Sequence, residues 1–215
     1  MADIGSGRMW RRWLVTVTAG EVVGFAAPAL TAVTAGPIDD PVAAAALALA
    51  GMVEGAVLGW FQSSVLCTAV PRLDRGRWVL ATAIGATVAW TVAVTMILAE
   101  GFQRWPTAAA VPMLTAGALV IVFSLGVSQW FVLRDHVVDA GGWIGATAAG
   151  WAVGLLVFTA ITSPLWQPGQ SGWVVLAIAC AGALFMAVAM AAVTGSFLVW
   201  LLRAQPHRIG NEYSL

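Results

Sequence analysis

The chain has 215 residues, 60% apolar and only 9% charged, with ten basic and ten acidic side chains in balance. An ordinary soluble domain carries roughly 25% charged residues, so the mean hydropathy of +0.89 excludes a water-soluble globule and points to a bilayer. Zero net charge leaves no basic face for nucleic acid, and the absence of lysine removes Schiff-base chemistry.

Six apolar stretches reach the ~20 helical residues needed to cross ~30 Å of hydrocarbon. In chain order the predicted spans are Trp13–Ala35, Val42–Val70, Trp78–Ala99, Thr107–Leu133, Trp143–Thr162 and Trp173–Leu202. Period-two alternation is missing, and backbone groups in lipid must pair internally, so each span is expected to be helical. The breaks carry turn or charge chemistry: Gly36-Pro37, Pro71-Arg72, Arg104-Trp105-Pro106, Asp139-Ala140-Gly141-Gly142 and Pro168-Gly169. The expected fold class is an all-α integral membrane protein, one membrane domain over residues 1–215. The first apolar run is too long for a signal-peptide core and leads into further spans, so it reads as a retained helix.

Arginine placement sets the expected orientation. Arg8, Arg11 and Arg12 precede the first span, Arg72, Arg75 and Arg77 follow the second, Arg134 follows the fourth, and Arg203 and Arg208 follow the sixth. Only Arg104 falls on the opposite side, with Asp39 and Asp40. The positive-inside rule then puts both termini in the cytoplasm. Trp10, Trp13, Trp78, Trp105, Trp143, Trp166 and Trp173 fall at span boundaries and are expected to form interfacial belts. Cys67 and Cys180 read as small apolar fillers, not as a disulfide or metal pair.

The most informative feature is self-similarity. Trp13, Trp78 and Trp143 are spaced 65 residues apart, and each is followed seven residues later by Gly20, Gly85 or Gly150. Small residues recur four further on, at Gly24, Ala89 and Gly154. The even-numbered spans repeat as well. Leu58-Gly59-Trp60-Phe61-Gln62 aligns with Leu125-Gly126-Val127-Ser128-Gln129, whereas Thr194-Gly195-Ser196-Phe197-Leu198 keeps the glycine and loses the glutamine. Stepping back by fours gives the stripe Gly59, Gly55 and Gly51, and Gly126 and Gly195 head similar small-residue runs. Lipid tails give helices no hydrophobic reason to associate, so such stripes supply close packing instead. The expected architecture is three helical hairpins, approximately residues 8–72, 73–137 and 138–208, related by a pseudo-threefold axis along the membrane normal.

The Gly-x-x-Gln segments Gly59–Gln62 and Gly126–Gln129, with the Trp-x-x-Ala-Thr-Ala-x-Gly openings at Trp78 and Trp143, resemble those of a group of bacterial six-helix multi-pass proteins. The resemblance covers most of the chain and implies a bacterial cytoplasmic membrane but no activity. Mitochondrial carriers also build six helices from three repeats. Their Pro-x-Asp/Glu-x-x-Lys/Arg signature is absent here, so that likeness ends at topology.

Glu21 and Glu54 are the two carboxylates well inside spans. At 1.5 Å per residue, Glu21 lies ~12 Å in from Trp13, and Glu54 lies ~20 Å in from Pro41 on the other side. The two counts place them at similar depth on adjacent helices. A charge there costs about 3 kcal/mol on insertion scales, and no arginine lies at that depth, so at least one is expected to hold its proton at pH 7. They form a candidate proton or ligand site, or else protonated carboxyls bonding a neighbouring helix. The positions matching Glu21 in the other repeats are Ala86 and Trp151, and the position matching Glu54 in the fourth span is Ile121. The carboxylates thus break the repeat. Gln62 and Gln129 join the candidate site, with bonding across a helix seam as the structural alternative. Pro28 and Pro112 free backbone carbonyls inside spans.

Enzymatic readings find little support. His136 and His207 lie outside the spans, which disfavours a bis-histidine haem, and no cluster has zinc spacing. No histidine at membrane depth activates Ser196. The sequence therefore predicts a non-enzyme without cofactor. Two readings remain: a membrane subunit binding a partner membrane protein or lipid, and a small-solute or proton-coupled transporter using Glu21 and Glu54.

Overall fold

A computed structural model describes residues 2–204; His207 and Arg208 lie outside this range. It is all-helical, with α1 (Ala2–Thr34), α2 (Pro41–Ala69), α3 (Arg75–Leu98), α4 (Thr107–Leu133), α5 (Gly142–Thr162) and α6 (Gly172–Arg203). A single 3₁₀ turn at Glu100–Phe102 joins α3 to α4, and there is no strand among the described residues. All six helices are long and apolar enough to cross a membrane. Local chemistry sets their ends. Asp40 accepts from the Val42 backbone N–H at 2.9 Å with Pro41 in the first turn, and Asp74 caps α3 by accepting from Arg77 N–H at 2.7 Å. Gly36 and Gly169 take φ of 92° and 84° in the turns after α1 and before α6.

Helix α1 starts well before the expected Trp13. Two glycines in its first turns weaken it by about 1 kcal/mol each relative to alanine, but the extension docks on its neighbours. Trp10 Nε1 donates to Ser196 Oγ at 3.0 Å, Arg203 Nε to Ser6 Oγ at 2.9 Å, and Arg12 to Ser64 O at 3.4 Å.

Each helix packs on the next in chain order, and α6 returns to α1, so the six close into a ring. The small residues sit at the seams. A methyl group at Gly20 would meet Phe61, at Gly24 the backbone of Glu54, at Gly51 Trp90, at Gly55 Ala86, and at Gly59 Thr82. At Gly85 it would meet Leu125, at Gly126 Ile144, at Gly150 Thr194, at Gly154 Met186, and at Gly195 Trp13. Every one of these glycines therefore faces another helix of the same chain, where backbones approach closely.

One end of the ring gathers the arginines. Arg75 stacks on the Trp60 ring at 3.7 Å and donates to Ser63 Oγ at 3.1 Å, and His136 Nε2 lies 3.0 Å from Arg72 O. The opposite, distal end holds Asp39, Asp40 and the exposed Arg104–Glu100 pair at 3.0 Å.

Three of the tryptophans expected in an interfacial belt are elsewhere. Trp13, Trp78 and Trp143 are at most 1% exposed and meet in the middle of the ring, with centroid distances of 5.8 Å for Trp13–Trp143 and 6.2 Å for Trp78–Trp143. Each indole N–H finds an acceptor inside the protein, which removes the need for interfacial water. Trp105, Trp166 and Trp173 are exposed near the distal end.

Candidate functional site

The central tryptophans anchor a polar belt. Trp78 Nε1 donates to Gln62 Oε1 at 3.2 Å, and Trp143 Nε1 donates to Gln129 Oε1 at 2.9 Å. Gln129 Nε2 donates to Gln62 Oε1 at 2.8 Å and to Thr82 Oγ1 at 3.0 Å. Trp13 Nε1 donates to Thr194 Oγ1 at 3.0 Å. Each indole of α1, α3 and α5 thus bonds the even-numbered helix that precedes it around the ring. The lost glutamine of the sixth span is explained by a swap. Leu58 and Leu125 lie one turn before their glutamines, whereas α6 places the polar residue, Thr194, one turn before its leucine, Leu198. All six of these side chains are buried. The belt fills the middle of the ring at this level, and its hydrogen bonds are worth on the order of 0.6–2 kcal/mol each in a membrane setting.

Beyond the belt, toward the distal end, the ring is hollow. A cavity of about 220 Å³ is lined from all six helices: Glu21 and Phe25, Glu54 and Leu58, Ala86 and Trp90, Ile121 and Leu125, Trp151 and Phe158, and Met186. Two features of the sequence create it. Ala86, Ala89 and Ala93 give α3 a small inward face, and α4 is fully buried only toward its C-terminal end, although Gly117 packs against Met96. The buried residues of α4 are Leu125, Gly126, Gln129, Val132 and Leu133, and none of Thr107–Ser124 is buried.

Glu21 and Glu54 share this cavity, and both stand eight residues beyond belt positions, ~12 Å along their helices from Trp13 and Gln62. Their environments differ. Glu54 accepts a 2.6 Å hydrogen bond from Trp90 Nε1. Glu21 is fully buried, and neither of its carboxyl oxygens has a hydrogen-bond partner. A buried, unpaired polar group costs several kcal/mol as a rule of thumb, and in native proteins such a group calls for a reason. Helices α1 and α2 are close here, since a methyl on Gly24 would lie 3.0 Å from Glu54 O.

Among the described residues, Glu21 and Glu54 are the only titratable side chains lining the cavity. Ala86, Trp151 and Ile121, which the sequence spacing aligns with them, line the same space, so one wall is acidic and the facing walls are apolar. Gln62 and Gln129 belong to the belt and not to the cavity. Trp90 was not singled out by sequence; it is 36 residues from Glu54, and only the rotation of α3 against α2 joins them. Among the described residues no group of three His, Cys, Asp or Glu side chains comes together to hold a metal ion.

Comparison with protein-family models, with curated proteins and with solved structures finds no match. The architecture itself is that of a polytopic membrane protein with six apolar helices.

Proposed function

We propose that the chain is a proton-coupled carrier of a small solute in the bacterial cytoplasmic membrane, with both termini in the cytoplasm. The observation that carries this reading is the unpartnered Glu21 carboxyl in the wall of a mid-bundle cavity. A carboxyl kept for packing would bond a neighbouring helix. Glu21, without such a bond and at the cavity wall beside Glu54, supports a role in proton exchange. In this reading the solute enters from the distal side, Glu21 and Glu54 give up or take a proton, and the Trp–Gln belt closes the cytoplasmic side. The arginines at the terminal end support the orientation. The residues supply binding and proton exchange, with no cofactor and no bond-making chemistry.

The test is proton movement in proteoliposomes challenged with a pool of small organic solutes, followed by an internal pH dye. Solute-dependent proton movement by the wild type, abolished in Glu21→Gln and reduced in Glu54→Gln, is expected. Movement that is equal in all three proteins, or equal to empty vesicles, overturns the reading.

A second reading, a membrane subunit that docks a partner protein or lipid, is favoured by one feature, the part of α4 over Thr107–Ser124 that holds no fully buried residue. Against it, the small-residue stripes that suit helix docking are used within the chain's own ring. Co-purification of a stoichiometric partner in mild detergent, lost on substituting Leu119 and Phe123 with serine, would support it. A solitary chain would remove it.

A further inference from the structure

Resting on the carrier reading, we infer that the solute is an organic cation with an apolar, aromatic-sized body, held by the Glu21 carboxylate against the rings that line the cavity. Three observations on the lining lead there. The first is the sign of the charge. Among the described residues the two carboxyls are the only ionisable groups on the lining; the Trp90 indole N–H is given to Glu54, and Trp151 brings a second indole but no charge. An anion or the carboxylate of a zwitterion therefore finds no positive charge to pair with and faces two acidic groups, and a neutral solute can hydrogen-bond Glu21 but gives it no reason to release its proton.

The second is the absence of oxygen ligands. Hard metal cations take six or more oxygens. The lining side chains offer oxygen only from the two carboxyls, and one of those is engaged by Trp90. The third is the aromatic surface. Phe25, Trp90, Trp151 and Phe158 all line the cavity, and a desolvated cation over such rings gains about 2 kcal/mol or more. An organic ammonium, with its charge spread over methyl groups and little water to lose, satisfies all three conditions at once.

The exchange balances in charge. The Glu21 carboxylic acid loses its proton to water as the cation arrives, and the resulting carboxylate and the cation form a neutral pair in the cavity. Helices α2 and α6 pack on α1; Glu54 of α2 faces Glu21, and among the described residues α3, α4, α5 and α6 bring no charged group to the cavity lining. Binding that releases one proton tightens as pH rises, by up to about tenfold per pH unit.

The test uses the full chain in detergent and four matched probes: benzyltrimethylammonium, benzyl alcohol, phenylacetate and phenylalanine. Isothermal titration in two buffers of different ionisation enthalpy reads affinity and protons released together. The expected result is binding of benzyltrimethylammonium alone, release of close to one proton, and at least a tenfold loss in Glu21→Gln with an unchanged unfolding midpoint. Glu21→Asp, which keeps the charge, restores binding if the loss in Glu21→Gln comes from the carboxylate. Equal affinity for benzyl alcohol, or cation binding that Glu21→Gln leaves intact, overturns the cation assignment. If the alcohol or the zwitterion binds with Glu21-dependent proton movement in vesicles while the cation does not, the assignment falls and the carrier reading stands. If no probe binds and no solute moves protons, both fall.

Discussion

Gln129 donates its side-chain amide to Gln62 Oε1 at 2.8 Å, joining α4 to α2 through the middle of the ring. The same amide reaches Thr82, and its oxygen accepts from Trp143, so one side chain ties together four helices. Gln129→Leu keeps the volume and strands the Trp143 N–H. A loss of about 2 kcal/mol is expected, visible as a lower midpoint in detergent unfolding. An unchanged midpoint would remove the belt as a source of stability.

The swap between Thr194 and Leu198 makes a less usual prediction. Thr147 occupies the place in α5 that Thr82 holds in α3, and its buried hydroxyl has no partner. The residue that would serve it, by analogy with Gln129 serving Thr82, is Leu198. Burying an amide at random costs about 1–3 kcal/mol, but Leu198→Gln should cost less than 1 kcal/mol because Thr147 is waiting for it. Thr147→Val in the Leu198→Gln background should restore the full penalty. A full penalty in Leu198→Gln alone would show that the α5–α6 pair does not follow the geometry of α3 and α4.

Glycine positions separate packing from composition. A methyl at Gly55 meets Ala86 and lies 2.8 Å from Thr82 O, whereas one at Gly145 meets nothing within 4 Å. Gly55→Ala should destabilise by about 1–3 kcal/mol through overpacking. Gly145→Ala should be neutral or stabilising by up to about 1 kcal/mol from helix propensity. Unfolding midpoints of the two variants provide the comparison, and equal shifts would mean the α2–α3 seam is looser than described.

Trp90→Phe keeps a ring in the cavity and removes the donor to Glu54. The freed Glu54 oxygen should then be open to a hydrophobic carbodiimide, with several-fold more adduct on Glu54 by peptide mass spectrometry. No increase would show that the indole N–H does not shield that carboxyl.

The spans were legible because apolar length alone specifies them. Five of the six helices begin and end within a few residues of the expected points, set by the Asp40 and Asp74 caps and the glycine turns. The start of α1 was not, because Ala2–Arg12 is polar enough to read as a flank, and its helix is held by contacts to Ser64, Ala192 and Ser196 far along the chain. The depth of Glu21 and Glu54 followed from counting helical rise. Their surroundings did not follow, since the facing of Trp90, Phe25 and Phe158 depends on how each helix is rotated. Trp13, Trp78 and Trp143 illustrate the same limit: position along the helix suggested the interface, and the direction of the side chain put them at the centre.

Carbodiimide labelling of Glu21 in the intact protein, with and without benzyltrimethylammonium, bears most directly on the cavity as a site. Glu21 should carry the adduct, Glu21→Gln should not, and the cation should suppress labelling of Glu21 while leaving the exposed Glu100 unaffected. A Glu21 that stays unmodified while Glu100 reacts, or one that reacts equally with the cation present, contradicts a free carboxyl waiting in the cavity for a positive charge.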